Sequence, residues 1–419
     1  MTNSSIDQNN IAEWMTQHKI DEVECLIPDM TGIMRGKTLS AQKFLDGLGN
    51  RGLRIPEAIF TQTVTGDFLN EPSVISQTNL DILMVPDIAT LRIVPWITNP
   101  TAQIICDAQY MKGDPVDLAP RQLLRHILSL YEQAGLRPIV APELEFYLVA
   151  RNTNPDFPLE KPEGLSGRAE AGRQAYGIEA ANQYDPIINA LYDFCEKSRI
   201  DIDTTAHEAG AAQIEMNFNH GDPLELADQV FLFKRATRQA ALAHGVYATF
   251  MAKPHQFEPG SAMHIHQSIV DIDTGDNIFS LKGGRNSAKL MQYVGGLQRF
   301  IPAMMPLFAA NVNSYRRLVP DTDAPINVHW GHDNRTVGLR IPDSDARSRR
   351  IENRVPGADC NPYLAFAGTL ACGLLGLQGR MKPMREIHGS ANRLAFTLPR
   401  SQHEALHRMK QTKAVKMIL

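Results

Sequence analysis

The 419-residue sequence lacks several features that would assign it to a specialised class of protein. It contains five cysteines, and none lie close enough together to suggest a zinc ribbon or a disulfide framework. It has no long run of Lys or Arg and a formal net charge of −4, so it offers no basic surface for nucleic acid or a membrane. Its longest apolar run, residues 364–377, is too short to span a bilayer and predicts a buried helix.

The N-terminus, "MTNSSIDQNN", is polar and lacks the apolar core of a signal segment. We therefore expect a cytoplasmic protein with neither a nucleic acid nor a membrane as partner. An apolar fraction of 43% is ordinary for a globular protein and sufficient for a large core.

Short strand patterns dominate the N-terminal part, and helices and strands are mixed after it. "EVECLIPDMTGIMRGKTL" predicts two strands around a turn at Thr31 and Gly32, and "LDILMVPD" and "LRIVPW" are further strand candidates. The turn-rich stretch "KGDPVDLAPRQ" then leads into an amphipathic helix. The pattern predicts an α+β protein with a boundary near residue 113, which separates an N-terminal domain at 1–113 from a larger domain at 114–419.

Three predicted strands, "RPIVAPELEFYLVA", "AAQIEMNF" and "SAMHIHQS", carry acids or histidines among apolar residues. Side chains two apart on a strand share a face, so each strand has a polar side: Glu143 and Glu145; Gln213, Glu215 and Asn217; His264, His266 and Ser268. For any one strand, a half-exposed sheet face explains the pattern equally well. Three such strands favour a divalent cation, because buried carboxylates without compensation cost several kcal/mol each. A ligand set rich in oxygen suits Mg²⁺ or Mn²⁺ better than Zn²⁺.

Arginines are concentrated in the C-terminal half of the chain: Arg316, Arg317, Arg335, Arg340, Arg347, Arg349, Arg350 and Arg354. Solvated surface charge is the ordinary explanation for such residues, but several of these alternate with apolar strand residues. Guanidinium groups bind phosphates and carboxylates with two hydrogen bonds. Acid-bound metals beside arginines are typical of phosphoryl transfer. The sequence has neither a Walker loop nor a kinase-type glycine-rich loop, so these residues alone indicate a metal-dependent enzyme that acts on phosphates, with a carboxylate as a further possible ligand.

Read in order, the motifs "PELEFYL", "AHEAGAAQIEMNF", "FMAKP", "GSAMHIHQS", "NSYRRLVP", "NRTVGLRIP" and "RRIENRVPGADCNPY" resemble the glutamine synthetase family over most of the chain. The resemblance implies an N-terminal β-grasp domain and a catalytic domain with a curved antiparallel sheet flanked by helices. It also implies a homo-oligomer, a dodecamer of two hexameric rings with active sites between neighbouring subunits. Members of the family usually extend well past the point where this sequence stops, so we expect a short C-terminal end.

By position, the resemblance implies two to three Mg²⁺ or Mn²⁺ ions per site, with ATP as co-substrate. The first metal site corresponds to Glu145, Glu208 and Glu215, and the second to Glu143, His264 and Glu352. The residues that match substrate-binding positions are Gly260, His266, Arg317, Arg354 and Thr63. Those that match nucleotide-binding positions are Arg335, Arg340, Arg350 and Ser268. The expected catalytic residues are Arg335, Arg340, Glu352 and Asp323.

The implied reaction forms γ-glutamyl phosphate from glutamate and ATP, and a nitrogen nucleophile then displaces phosphate. Ammonia-using members bind ammonium with an Asp from the neighbouring subunit and with a Glu on a flap. Here Thr63 takes the position of the Asp, and Asp323 the position of the Glu. Together with "HWGHDNRT" and "AHEAGAAQIE", these changes favour the γ-glutamylpolyamine (γ-glutamylputrescine) synthetase branch and a primary amine such as putrescine. Ammonia, ethanolamine and an aromatic amine remain alternatives, and Trp330 is interpreted either as a wall of the amine pocket or as a structural residue.

Two other classes compete with this interpretation. A metal-dependent amidohydrolase would use the "HIH" strand. It would leave the arginines without a role, and likewise Glu143, Glu145, Glu208 and Glu215. A non-catalytic relative would not need to keep all six of the predicted metal ligands.

Overall fold

The computed structural model describes residues 10–48, 52–69, 74–76 and 78–419. Most of the polar N-terminal stretch on which the expectation about a signal segment was based lies outside these residues. All five cysteines are free and buried. The described chain is a mixture of helices and two sheets, which confirms the α+β class predicted from the sequence.

The first sheet has the strand order β2–β1–β6–β4–β3, and β5 pairs with β6. Its strands are β1 (Glu22–Pro28), β2 (Met34–Ser40), β3 (Arg54–Pro56), β4 (Asp81–Pro86), β5 (Arg92–Ile93) and β6 (Thr101–Gln109). The predicted hairpin is confirmed as β1 and β2, with Gly32 at φ +81° in the turn. β6 was not predicted. It is central and almost wholly buried, so it lacks the alternation that marks a half-exposed strand. The sequence's assignment of this unit as a β-grasp stays a prediction.

The second sheet has the order β12–β13–β14–β11–β7–β9–β8, and β10 pairs with β7. Its strands are β7 (Leu136–Ala150), β8 (Ile202–His207), β9 (Gln213–Phe218), β10 (Val246–Thr249), β11 (Met263–Asp271), β12 (Trp330–His332), β13 (Leu339–Ile341) and β14 (Ile351–Asn353). All of its pairings are antiparallel except that of β12 with β13. The three polar-faced strands of the sequence are β7, β9 and β11, and β7 lies between the other two.

Helices pack against both sheets, the helix at Ala41–Leu48 on the first and those at Pro120–Gln133 and Pro223–Ala243 on the second. The helices are α1 (Ile11–Gln17), α2 (Ala41–Leu48), α3 (Pro120–Gln133), α4 (Ile178–Asn182), α5 (Asp185–Lys197), α6 (Pro223–Ala243), α7 (Ala288–Phe308), α8 (Pro362–Gln378), α9 (Gln402–Gln411) and α10 (Lys413–Ile418). Single turns of 3-10 helix occur at Glu57–Thr61, Ile88–Thr90 and Val312–Arg316. α8 is buried along almost its whole length, as the apolar run predicted. Within the described chain, none of the helices combines the length and apolarity needed to cross a bilayer.

Arg121, at the start of α3, joins the first sheet to the larger part of the molecule. Its side chain is 2% exposed and donates to Asp107 Oδ1 at 2.6 Å, Asp87 Oδ2 at 2.7 Å and Asp228 Oδ2 at 2.8 Å. Asp107 of β6, Asp87 directly after β4 and Asp228 of α6 are thereby held by one guanidinium group. The boundary predicted near residue 113 falls between β6 and α3, and the division into two domains stays a prediction.

Candidate active site

The register of the second sheet brings the acids and histidines of three strands onto one face. Glu145 of β7 lies directly opposite Glu215 of β9, and Glu143 of β7 lies opposite His264 of β11. Residues that face each other across antiparallel strands have Cβ atoms about 5 Å apart. These four side chains line one cavity of about 520 Å³. The face that the sequence predicted is therefore the floor of a cavity.

Three carboxylates form the first potential metal site in this cavity. Glu145, Glu208 and Glu215 each offer an oxygen within 4.8 Å of the others, and these are the three residues that the resemblance implied. Burial, together with the charge of Glu208, raises the pKa of Glu145 to about 8. Burial and the neighbouring carboxylates raise the pKa of Glu215 to about 9. Carboxylates that repel one another in this way fit a divalent cation, which would stabilise their charged forms.

A second group of ligands surrounds Glu143. His264 Nδ1 lies 3.3 Å from Glu143 Oε2 and 3.7 Å from Glu352 Oε1. The ligand atoms that lie within 4.8 Å of one another around Glu352 are those of Glu143, His266 and Glu352, so the implied set with His264 stays a prediction. His266 joins this group as well, with Nε2 2.7 Å from Glu143 Oε1. Burial and the charge of Arg354 lower the pKa of His264 to about 4. His264 is thus a neutral imidazole, the form that binds metals.

Glu352 is fully buried and lies between two arginines. Arg340 Nη1 donates to Glu352 Oε2 at 3.0 Å, and Arg354 Nη1 donates to Oε1. Arg340 also donates through Nη2 to Asp333 Oδ1 at 2.9 Å. Burial would raise the pKa of Glu352, but Arg354 and the two histidines outweigh it and lower this pKa to about 2. Glu352 is therefore charged and links the arginines to the metal-ligand face.

Gly260 and Arg317 lie side by side at another part of the same cavity. A Cβ at Gly260 would lie 2.5 Å from Ala252 O and 2.6 Å from Arg317 Cγ, so only glycine fits. The buried Arg317 side chain donates to Val355 O at 2.8 Å and Arg354 O at 3.0 Å. Each of its terminal nitrogens carries a second N–H for another acceptor.

Gln213 connects this loop to the carboxylates. Its Nε2 lies 3.1 Å from Gly260 O and 3.2 Å from Glu145 Oε2, and the residue is 1% exposed. The sequence placed Gln213 on the polar face of its strand but assigned it no role. The signal was its position two residues before Glu215, and only the structure shows which groups the side chain holds.

A second cavity of about 690 Å³ shares Glu143 and Asn217 with the first. It is lined by Ser268 and Arg350, both predicted to bind nucleotide, and by His266, which was predicted to bind the substrate. Arg350 Nε donates to His266 Nδ1 at 3.2 Å. Arg335 and Arg340, also predicted at the phosphates, line the first cavity instead. The predicted nucleotide residues thus lie on both sides of the junction at Glu143.

Three further residues concern the nitrogen substrate. Asp323 is exposed and lines the first cavity. Thr63 lines neither cavity, and its Oγ1 lies 2.9 Å from Thr65 Oγ1, so its predicted role across a subunit boundary stays a prediction. Trp330 is buried and donates through Nε1 to Met384 O at 2.7 Å. It does not line the cavity, which favours the structural interpretation of this residue.

The raised pKa values predict how the stability of the metal-free protein depends on pH. Glu145 and Glu215 have folded pKa values of about 8 and about 9, above the ordinary value of 4.5. The folded state therefore binds more protons than the unfolded state, and the free energy of unfolding falls as the pH rises from about 5 to about 9. We expect the Tm in EDTA to decline over this range, and Mg²⁺ or Mn²⁺ to remove most of the decline. Glu215→Gln should make the decline shallower, and a Tm in EDTA that is independent of pH would contradict the prediction.

The comparisons with known proteins agree with this geometry. Residues 117–419 match the family model described as "Glutamine synthetase, catalytic domain". The fold matches a solved structure of ligand-free GmaS with a TM-score of 0.82 and 25% sequence identity, over 97% of this chain and 91% of that one.

Curated relatives are similar over nearly the whole chain. Glutamate–isopropylamine ligase of Pseudomonas sp is 32% identical over 93% of this chain and 85% of its own length. The γ-glutamylputrescine synthetase PuuA of Escherichia coli (strain K12) is 34% identical, over 92% of this chain and 82% of its own. The γ-glutamylethanolamide synthetase GlnA4 of Streptomyces coelicolor is 33% identical, over 92% and 83%. All three are named as ligases or synthetases, which favours the ligase prediction over the hydrolase alternative. The chain therefore belongs to the glutamine synthetase family and is an ATP-dependent carbon–nitrogen ligase that forms γ-glutamyl bonds.

Proposed function

We propose that this protein joins the γ-carboxylate of glutamate to a primary aliphatic amine, with putrescine or another polyamine as the favoured acceptor. The observation that carries the proposal is the composition of the first cavity. Two acids, Glu208 and Asp323, line this cavity together with four alanines: Ala175, Ala206, Ala209 and Ala324. We call these four alanines the small-residue wall.

The small side chains leave room for an alkyl chain, and each buried methylene contributes about 0.8 kcal/mol. The two acids provide partners for ammonium groups, and a diamine has a second such group to place. Glu208 and Asp323 already interact, since burial and the charge of Asp323 both raise the pKa of Glu208. A cationic substrate would relieve this repulsion.

The relatives support a primary amine more strongly than they support any particular one. Their names refer to isopropylamine, putrescine and an ethanolamide, all of which carry more bulk than ammonia. Thr63 supports the same conclusion, because a hydroxyl in place of a carboxylate gives a small cation a weaker partner. Asp323, one methylene shorter than Glu, leaves more space.

Glutamate would be held by arginines at the first cavity. The Arg317 side chain packs against Gly260, and each of its terminal nitrogens has a second N–H beyond its bond to a backbone oxygen. Arg354 lies next to the carboxylate of Glu352. Guanidinium groups bind carboxylates with two parallel hydrogen bonds. The glutamate γ-carboxylate would thereby be directed toward the junction at Glu143, where the two cavities meet.

ATP would enter through the second cavity, past Ser268 and Arg350. A γ-carboxylate oxygen of glutamate forms a bond to the γ-phosphorus, the bond from that phosphorus to the bridging oxygen breaks, and ADP leaves. Arg340, which is largely buried and held by Glu352, would stabilise the negative charge on the transferring group as an oriented donor. Arg335, which is exposed at the same cavity, would add a second positive charge.

Enzymes of this family use divalent metal ions, and the ligand groups in this chain fit them. Glu145, Glu208 and Glu215 would hold one ion, and Glu143, His264 and Glu352 another. Bound there, the ions would neutralise charge on the phosphates. His266 lies close enough to Glu143 to orient it or to join the second set.

In the second step the amine nitrogen attacks the acyl carbon of γ-glutamyl phosphate, and the bond from that carbon to the phosphate oxygen breaks. The amine must lose protons to become a nucleophile and then a neutral amide. Asp323 and Glu208 are the carboxylates beside the small-residue wall, and we assign proton acceptance to Asp323 because Glu208 faces the metal group.

The proposed assembly is a dodecamer of two hexameric rings in the cytoplasm. In that assembly, Thr63 would reach the active site of a neighbouring subunit. Light scattering on the purified protein measures the number of subunits.

Acceptor specificity tests the proposal directly. Purified protein with ATP, Mg²⁺ and glutamate is assayed for phosphate release with ammonium, putrescine, spermidine, ethanolamine, isopropylamine and an aromatic amine. We expect kcat/KM for putrescine to exceed that for ammonium by at least about 100-fold, since one buried methylene changes discrimination by roughly 10-fold or more. Asp323→Asn should reduce the preference for putrescine over a monoamine of the same length. Saturable turnover with ammonium and none with the amines would contradict the proposal.

A further inference from the structure

A long loop between β7 and α4 contacts the metal-ligand face, although the sequence assigned it no role. Within it, residues 163–177 begin with a tight turn in which Gly164 donates to Arg168 O at 3.0 Å. The segment ends at Ala175 and Tyr176, which line the first cavity. Tyr176 N donates to His207 O at 2.8 Å. This 163–177 loop therefore reaches both the small-residue wall and the β8–β9 hairpin that carries Glu208.

Glu170 makes the central contact between the loop and this hairpin. Its Oε2 lies 3.0 Å from His207 Nε2, at the end of β8, and accepts a bond from Ala212 N at 2.7 Å, just before β9. The Glu170 side chain is 7% exposed and that of His207 is fully buried. One carboxylate oxygen thus holds both ends of the hairpin turn.

Two features of this turn make such a partner necessary: the strained backbone at Ala212 and the position of Glu208 within the turn. Ala212 has φ +59°, a left-handed conformation that costs a residue with a Cβ about 1 kcal/mol or more. His207 Nδ1 lies 2.8 Å from Glu208 O, and its Nε2 faces Glu170. His207 therefore contacts both Glu170 and the backbone of Glu208, whose carboxylate faces the metal group. A shift of either end of the turn would move Glu208.

We propose that Glu170 is a positioning residue: it fastens the 163–177 loop to the β8–β9 hairpin and so fixes Glu208 in the carboxylate group and Ala175 and Tyr176 along the cavity wall. The inference rests on the metal role proposed for Glu208. The Glu170 side chain links the small-residue wall to the carboxylates of the first metal group. A change at Glu170 should therefore affect both the metal affinity and the KM for the amine.

Direct Mn²⁺ binding tests the proposal without any substrate. Free Mn²⁺ is measured by electron paramagnetic resonance during titration of the full-length protein, for wild type, Glu170→Ala, Glu170→Gln and Glu170→Asp. We expect Glu170→Ala to weaken Mn²⁺ binding by about 10-fold or more, the usual effect of losing a group that orients a metal ligand. Glu170→Gln keeps an oxygen acceptor at full length and should stay within about 3-fold of wild type. Glu170→Asp cannot reach both donors and should resemble Glu170→Ala.

Glu160→Ala is the matched control, because Glu160 is an exposed carboxylate in the same connection between β7 and α4 but outside residues 163–177. It should bind Mn²⁺ as wild type does. Unchanged binding by Glu170→Ala, or the absence of Mn²⁺ binding by the wild-type protein, would overturn the proposal. If Glu170→Ala does not fold, the Mn²⁺ affinities of Glu170→Gln and Glu170→Asp are compared instead. Tighter Mn²⁺ binding by Glu170→Asp than by Glu170→Gln would refute the inference. Normal Mn²⁺ binding without formation of a γ-glutamyl amide would contradict the proposed function and would leave the role of Glu170 intact.

Discussion

Glu352→Gln is expected to lower kcat for phosphate release by about 10³-fold while leaving a folded protein. Glu352 is fully buried and charged, and it accepts from Arg340 and Arg354 at once. An amide would place an NH₂ group against one of these guanidinium groups and remove the negative charge beside His264. Removing one partner from a buried ion pair typically costs about 3–5 kcal/mol, so the Tm should fall as well. Phosphate release, circular dichroism and light scattering measure the two effects separately.

Asp333→Asn provides the matched control for this substitution. Asp333 is the other partner of Arg340, but its side chain is 58% exposed. Exposed ion pairs contribute little, so kcat should change by less than about 3-fold. Comparable losses in both variants would mean that the orientation of Arg340, rather than the buried charge of Glu352, is what the reaction needs. Unchanged turnover in Glu352→Gln would contradict the assignment of this residue.

Gly260→Ala is expected to raise the KM for glutamate by about 100-fold or more, with a smaller effect on the KM for ATP. The added Cβ would lie 2.5 Å from a backbone oxygen and 2.6 Å from Arg317 Cγ, so the loop or the arginine must move. A misplacement of about 1 Å in a substrate-positioning group can cost about 10² in rate. Initial rates at varied glutamate and at varied ATP distinguish the two KM values.

Gly389→Ala is the control, since a Cβ at Gly389 would meet nothing within 4 Å. It should leave both KM values unchanged. If Gly260→Ala raised the KM for ATP as much as that for glutamate, the loop would serve the junction between the cavities rather than the glutamate end.

The elements with the clearest patterns were predicted from the sequence. The period-two alternation in "PELEFYL" is a consequence of strand geometry alone, so Glu143 and Glu145 share a face wherever that strand lies. The same holds for the polar sides of β9 and β11. The hairpin at Gly32 and the buried helix α8 follow equally from local signals, a turn glycine and an uninterrupted apolar run.

Contacts between distant segments were not predictable in this way. β6 has no alternation because both of its faces are buried, and it was therefore missed. Arg121 holds acids from the first sheet and from α6, a pairing that no local spacing indicates. Glu170 lies in a polar loop that resembles solvated surface in the sequence, and only the folded chain places it against His207.

The family, the reaction class and the side chains that share a face of each strand were all predictable, because they depend on residue identity and on the geometry of single elements. Which of these side chains meet depends on contacts between distant elements. Strand register brought His264 and His266 around Glu143. The fold of the connecting segments placed Ser268 and Arg350 in one cavity and Arg335 and Arg340 in the other, and the two cavities share Glu143. Register is set by packing of the whole sheet against its helices, so no single motif contains it.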